Sequence, residues 1–194
     1  MNEIVLASRN PNKIEELREL LSLPDLRVLS TADFPELEEV DEDALTLEGN
    51  ALKKAHYVAM VTGLPSLADD TGLEVSALNG APGVYSARYA GEQASYDDNV
   101  EKLLSEMEDI EQRNAQFRTV VAFVDADKQW IFEGVCTGQI SRYRKGVKGF
   151  GYDPIFMPDG FEQSFAEMGS EQKNRISHRG LAMKEAVVFL QKWA

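Results

Sequence analysis

The sequence predicts an α/β protein with a mixed β-sheet. Three observations carry this. Short apolar, strand-like runs alternate with helix-patterned segments through the first half of the chain. Two long β-rich runs then follow one another directly, and a helix-patterned segment closes the chain. At 194 residues, and with a soft prior of about 150 residues per domain, the whole of 1–194 is read as one domain, a single bilobal unit.

Each element has a local reason. Ile4-Val5-Leu6-Ala7 is a short buried strand. Asn10-Pro11 opens a helix, because Asn is a favoured N-cap and Pro is preorganised for the first helical turn. Ile14, Leu17, Leu20 and Leu21 mark its apolar face, and Pro24 stops it. Residues 27–29 form a short strand. Thr46 begins a second helix with Ala51, Ala55, Val58, Ala59 and Thr62 on one face, ended by Gly63 and Pro65. Ser66-Leu67-Ala68 is a strand whose end carries Asp69-Asp70-Thr71-Gly72, and residues 73–77 extend the sheet. Asn79-Gly80 and Pro82-Gly83 are turn signals. Residues 95–107 read as a helix. Residues 117–124 and 130–140 form a hairpin through the polar stretch 125–129. A glycine-rich loop spans 146–151, Ile155-Phe156 is another short strand, and 177–193 is the final helix.

Charge narrows the partners. There are 33 acids against 20 bases, a net charge of −13, so long nucleic acids and anionic membranes find no favourable field over the whole surface. The charge is uneven: residues 1–111 hold 24 acids and 8 bases, whereas 112–194 hold 9 and 12. The acidic and mildly basic parts could face each other across a cleft or be plain solvated surface, and charge alone favours the second. The one cysteine, Cys136, excludes a disulfide framework and a cysteine-based structural zinc. No apolar run reaches the roughly 18 residues of a membrane span. The start MNEIVLAS lacks the basic and long apolar regions of a signal peptide, so a cytoplasmic protein is expected.

Four groups of residues could do chemistry. Ser8-x-Asn10-x-x-Lys13 sits at a strand-to-helix junction, where free N–H groups favour an anion. Lys13 falls in the first helical turn and opposes the helix dipole, a conflict that a bound phosphate would remove. Asp69 and Asp70 are adjacent carboxylates after an apolar run, and in an extended segment they point to opposite faces. Glu42, within Asp41-Glu42-Asp43, could join them in an oxygen-only site suited to Mg²⁺. Gly149-Phe150-Gly151-Tyr152-Asp153-Pro154 offers close backbone approach and an aromatic face for a base. Lys13, Lys173 and Arg179 could neutralise a triphosphate, and His178 could meet a base edge. His56 has no evident partner and reads as structural. Asp70-Thr71-Gly72 also matches the signature of aspartic proteases, which would need two copies sharing a proton. A silent nucleotide-binding module stays open on the same residues.

Taken together, the motifs resemble the inosine triphosphate pyrophosphatase family, the XTP/dITP diphosphatases. The matching segments are 8–13, Glu48-Gly49-Asn50-Ala51 with Lys53 and Ala55, 68–73, 80–89, 149–156, and Lys173 with 177–180, in the family's order. Gly49 departs from the family's usual larger residue, and Arg9 is not its commonest choice. The resemblance implies a two-lobed α/β fold with an elongated mixed sheet flanked by helices, the site in a cleft between the lobes. It also implies hydrolysis of ITP, dITP and XTP to the monophosphate and pyrophosphate, with Mg²⁺, in a homodimer. Residue by residue, it makes Asp70 the proton acceptor and a metal ligand with Glu42, Asp69 being a further candidate. It gives Ser8, Arg9, Asn10, Pro11, Asn12, Lys13 and Lys173 to phosphates. It gives Thr71, Phe150, Gly151, Tyr152, Asp153, His178 and Arg179 to the nucleotide.

Overall fold

A computed structural model of the chain describes residues 2–193. Its strands are β1 (Asn2–Leu6), β2 (Leu26–Ser30), β3 (Ser66–Val75), β4 (Pro82–Gly83), β5 (Asn114–Asp125), β6 (Lys128–Ile140) and β7 (Phe156–Pro158). Its helices are α1 (Pro11–Leu20), α2 (Leu47–Thr62), α3 (Tyr96–Glu106), α4 (Ser170–Ile176) and α5 (His178–Trp193). The strands make one sheet in the order β2-β1-β3-β5-β6-β7, with β4 paired to β3. β1 runs parallel to β2 and to β3, whereas β3/β4 and β6/β7 are antiparallel. The two residues between β5 and β6 permit only an antiparallel return. The sheet is therefore mixed, as the element order predicts.

Local chemistry sets the helix ends. The Asn10 side chain accepts from the backbone N–H of Asn12 (3.1 Å) and Lys13 (3.4 Å), and Pro11 follows at the first helical position. α1 ends at Leu20, whose next residue already leaves helical geometry, so the chain has turned before Pro24. Thr46 caps α2 by accepting from Gly49 N–H at 3.1 Å, and Gly63 ends it in the left-handed region with φ 68°. The last helical stretch is broken. Ser177, at φ −70° and ψ 153°, is extended between α4 and α5, so the final helix begins at His178. The short strand expected at 155–156 lies at Phe156–Pro158.

β3 departs from expectation. It is one continuous strand of 10 residues, with Asp69 and Asp70 in its interior rather than at its end. Carboxylates break an apolar pattern, but here their charge is met by cations from distant elements, so pairing continues through them.

The chain forms two compact units. The first comprises 1–70, 119–134 and 179–194, the second 71–118 and 135–178. The first unit's core packs Ile4, Leu6, Leu67, Val121 and Phe123 from strands with Leu17 of α1. Ala182, Ala186 and Leu190 of α5 join them at one-turn spacing. The second unit's core gathers Leu73, Val100, Leu103, Phe117, Ile140, Tyr152, Phe156 and Phe165. Phe117 meets Phe156 edge-on at 4.7 Å between centroids. Cys136 belongs to this core, and burial pushes its thiol up to about 11, which leaves it unreactive. Among the described residues no helix is long and apolar enough to cross a membrane.

Candidate active site

In the first unit, parallel pairing places the end of β1 beside β3. Ala7 N–H donates to Leu67 O at 2.8 Å, which brings the 8–13 junction alongside Asp69. Lys13 Nζ lies 3.2 Å from Asp69 Oδ2. The anion that relieves this first-turn lysine is thus supplied by the protein itself. Arg179, in the first turn of α5, repeats the device. Its Nε is 3.2 Å from the same oxygen, and Nη1 donates to Glu16 of α1 at 2.5 Å. Burial opposes the charge on Asp69, but Lys13, Arg179 and Lys54 outweigh it and hold the carboxyl well below the usual range. Arg179 is 3 % exposed and its guanidinium is committed to two carboxylates.

Asp70 points to the other side of the strand. Its Oδ2 accepts from Asn50 Nδ2 at 3.3 Å, and its Oδ1 lies 3.2 Å from Lys54 Nζ. Burial pushes its carboxyl above the ordinary value, an effect that Lys54 and Lys13 only partly offset. Lys54 also donates to Glu42 Oε1 and to the Asp69 carbonyl, both at 2.8 Å. Glu42 is half-buried; burial raises its carboxyl, yet the Lys54 ammonium more than compensates and the net direction is down. Asp41 and Asp43 stay exposed.

The acidic loop that carries Glu42 is clamped at three points. The Arg9 guanidinium donates to Leu37 O, Tyr57 OH accepts from Glu38 N–H at 2.9 Å, and Asn50 Oδ1 accepts from Ala44 N–H at 3.0 Å. This fold-back explains Gly49. A Cβ there would come 2.8 Å from Ala44 Cβ, so any larger residue would have to push the loop aside.

Two residues hold roles that the sequence reading does not assign: Lys54, and Asn50, which enters there only within a matching segment. The buried helical lysine is Lys54, not Lys53, which is exposed and paired with Asp43 at 2.6 Å. The signal is helical phase: Leu47, Asn50, Ala51, Lys54, Ala55 and Val58 share the buried face of α2. Asn50, wholly buried, ties Asp70 to the Glu42 loop. His56, read as partnerless, has Nε2 2.7 Å from Gln129 Oε1 and lies away from this cluster's contacts.

The remaining expected residues are in the second unit. Lys173 Nζ is 2.8 Å from Asp153 Oδ2, which also accepts from Phe150 N–H at 2.9 Å. That ammonium lies 5.2 Å from the Phe150 ring centroid. Gly149 makes the turn possible: it has φ 72°, and a Cβ would fall 2.0 Å from Asp153 Oδ2. Tyr152 is buried, and its hydroxyl donates to Ser86 O at 2.9 Å, so it builds the core rather than offering a face. His178 is buried and stacks on Phe117 at 4.4 Å. Gly151 adopts φ 60°, and Thr71 is half-buried at the start of the second unit. The predicted residues therefore fall into two sets, one per unit. The expected split of charge along the sequence does not follow the units. The first holds 19 acids and 10 bases, the second 14 and 10, so both are acidic and Arg179 stands with the carboxylates.

Residues 4–189 match the model of the Ham1 family. A dITP/XTP pyrophosphatase of Flavobacterium johnsoniae is 48 % identical over 188 residues, covering 97 % of each chain. One of Porphyromonas gingivalis is 47 % identical over 98 % of each. Among solved structures, a HAM1 protein from Coxiella burnetii superposes with a TM-score of 0.91 at 40 % identity, covering 99 % of this chain and all of its own. The Staphylococcus aureus Ham1 protein gives 0.90 at 39 % over the full length of both. Full-length similarity in sequence and in fold thus converges on one conclusion: this chain belongs to the Ham1 family.

Proposed function

We propose that this chain hydrolyses non-canonical purine nucleoside triphosphates, ITP, dITP and XTP, to the monophosphate and pyrophosphate. The observation that carries the reading is the array in which Lys13, Lys54 and Arg179 interleave with Glu42, Asp69 and Asp70, its two aspartates, Lys54 and Arg179 buried. Such an array suits a polyanion that brings a cation. Relatives named dITP/XTP pyrophosphatase, similar over nearly their whole length, supply the substrate class.

The donor set fits Mg²⁺. Glu42 and Asp70 are oxygen ligands that already share one cation, the Lys54 ammonium, and hard cations take such oxygens. When bound, Mg²⁺ would neutralise charge on the triphosphate and on the leaving pyrophosphate. Asp70 acts as general base, taking the proton of the water that attacks the α-phosphorus. Asn50 holds the second carboxylate oxygen, so that the base keeps one orientation. At the 8–13 junction the Asn10 side chain already takes the Asn12 and Lys13 N–H groups, so a phosphate there is met by the Lys13 ammonium, shared with Asp69, and by the Ser8 hydroxyl.

We read Lys173 as facing the base rather than the phosphates. Its ammonium is held by Asp153 beside the Phe150 ring, so a purine stacked on that ring meets a fixed donor. A 6-oxo group accepts from it, while the 6-amino group of adenine sets donor against donor. Mismatches of that kind discriminate by about 10⁴-fold. The protease reading loses ground, because Asp70 shares its oxygens with an ammonium and an amide rather than with a second acid. The same proposal makes the protein a cytoplasmic homodimer, which light scattering on the purified protein tests for its assembly.

A panel of dITP, XTP, ITP and ATP, scored for pyrophosphate with and without EDTA, tests the proposal. Turnover of the oxo-purines well above ATP, abolished by the chelator, is expected. Equal turnover of ATP would defeat it, and nucleotide binding without product would favour a silent binder.

A further inference from the structure

Lys54 has a property that the hydrolytic scheme does not use. An ammonium has three donors, and all three are engaged, on Glu42 Oε1 (2.8 Å), the Asp69 carbonyl (2.8 Å) and Asp70 Oδ1 (3.2 Å). The nitrogen sits in an all-oxygen shell built from two carboxylates and a carbonyl, which is hard-cation chemistry. The shell is rigidly presented. Lys54 projects from the buried face of α2, and Asn50, one turn earlier, fixes both Asp70 and the loop bearing Glu42. Among the described residues, no three His, Cys, Asp or Glu side chains gather as a ready-made metal group. The two carboxylates best placed to hold a divalent cation thus already have one positive charge between them.

We propose that Lys54 is the resident counter-ion of Glu42 and Asp70. It keeps divalent metal weakly bound in the nucleotide-free protein, so that metal and nucleotide enter together. The inference rests on the reading of Glu42 and Asp70 as metal ligands. A dication arriving alone must sit beside or displace the ammonium, and like charges about 4 Å apart in a protein interior repel by enough to weaken binding far more than tenfold. A dication arriving on a triphosphate brings its own negative charge and oxygen ligands. Mg²⁺ is commonly held in this way, by one or two carboxylates plus substrate phosphates. The counter-ion also lets the carboxylates stand close together without metal, which keeps the site folded between turnovers.

The test is a titration of the full-length protein with Mn²⁺ alone, following the loss of the free-ion signal by electron paramagnetic resonance. Lys54→Met is expected to bind Mn²⁺ at least about tenfold more tightly than the wild type. Adding Glu42→Gln to that variant is expected to remove the gain. Equal affinity in wild type and Lys54→Met overturns the proposal, and so does a gain that survives Glu42→Gln, since the metal would then lie elsewhere. If Lys54→Met does not fold, wild-type protein suffices. Its Mn²⁺ affinity is expected to rise at least tenfold with the α,β-imido analogue of dITP, and tight binding without nucleotide overturns the idea. The nucleotide-free comparison uses no substrate, so it is decided separately from the turnover panel that tests the hydrolase reading.

Discussion

Asp69 and Asp70 are neighbours with opposite assignments, and the alternation of a strand separates them. Asp69 is enclosed by Lys13 and Arg179 and is held ionised; Asp70 is pushed up by burial, and the proposed reaction makes it the base. Asp70→Asn is expected to keep its circular dichroism and lose 10²- to 10⁴-fold in kcat, measured as pyrophosphate release. Asp69→Asn fails differently. It strips the shared counter-ion from buried Arg179 and half-buried Lys13, so urea unfolding should show a loss of about 3–5 kcal/mol. The sign with pH follows from the depressed carboxyl of Asp69. Its stabilisation is complete above the ordinary value of about 3.9 and is lost as pH falls below it toward the folded value. The wild type should therefore lose stability in acid faster than Asp69→Asn, read from melting temperatures across that range.

At the scale of elements, the site is made by helices and loops whose caps were legible and whose long-range partners were not. Asn10 and Thr46 act as the N-caps their positions suggest, and each is a local interaction. The continuity of β3 through two aspartates was not legible, because Lys13 and Arg179 stand 56 and 110 residues away from Asp69. Lys54 was legible in principle from helical phase, yet adjacent lysines share one composition and only the register of α2 tells them apart. The clamp between α2 and the Glu42 loop gives an element-level prediction. Asn50→Ala removes the bond to Asp70 and orphans Ala44 N–H, so chemical denaturation should show a loss of about 1–3 kcal/mol. Its kcat should fall with it, because the base loses its orientation. In the second unit, Gly149→Ala adds left-handed strain of about 1–2 kcal/mol and drives a Cβ into Asp153. Thermal melting should register the loss. The KM for dITP should rise more than kcat falls, because Lys173 and Phe150 depend on that turn.

For the whole molecule, the order of strands and helices and the family were open to the sequence, since both rest on local pattern and on motif order. The distribution of charge was not. Residues 179–194 return to the unit formed by 1–70, so the late-chain Arg179 meets the early-chain Asp69 and a split drawn along the sequence has no counterpart in space. In the proposed reaction a water, deprotonated by Asp70, attacks the α-phosphorus and pyrophosphate leaves. Hydrolysis of dITP in ¹⁸O-enriched water, read by phosphorus NMR, tests that claim most directly. Attack at the α-phosphorus puts the label in dIMP, with unlabelled pyrophosphate as the other first product. Label in pyrophosphate, or orthophosphate released first, would contradict it.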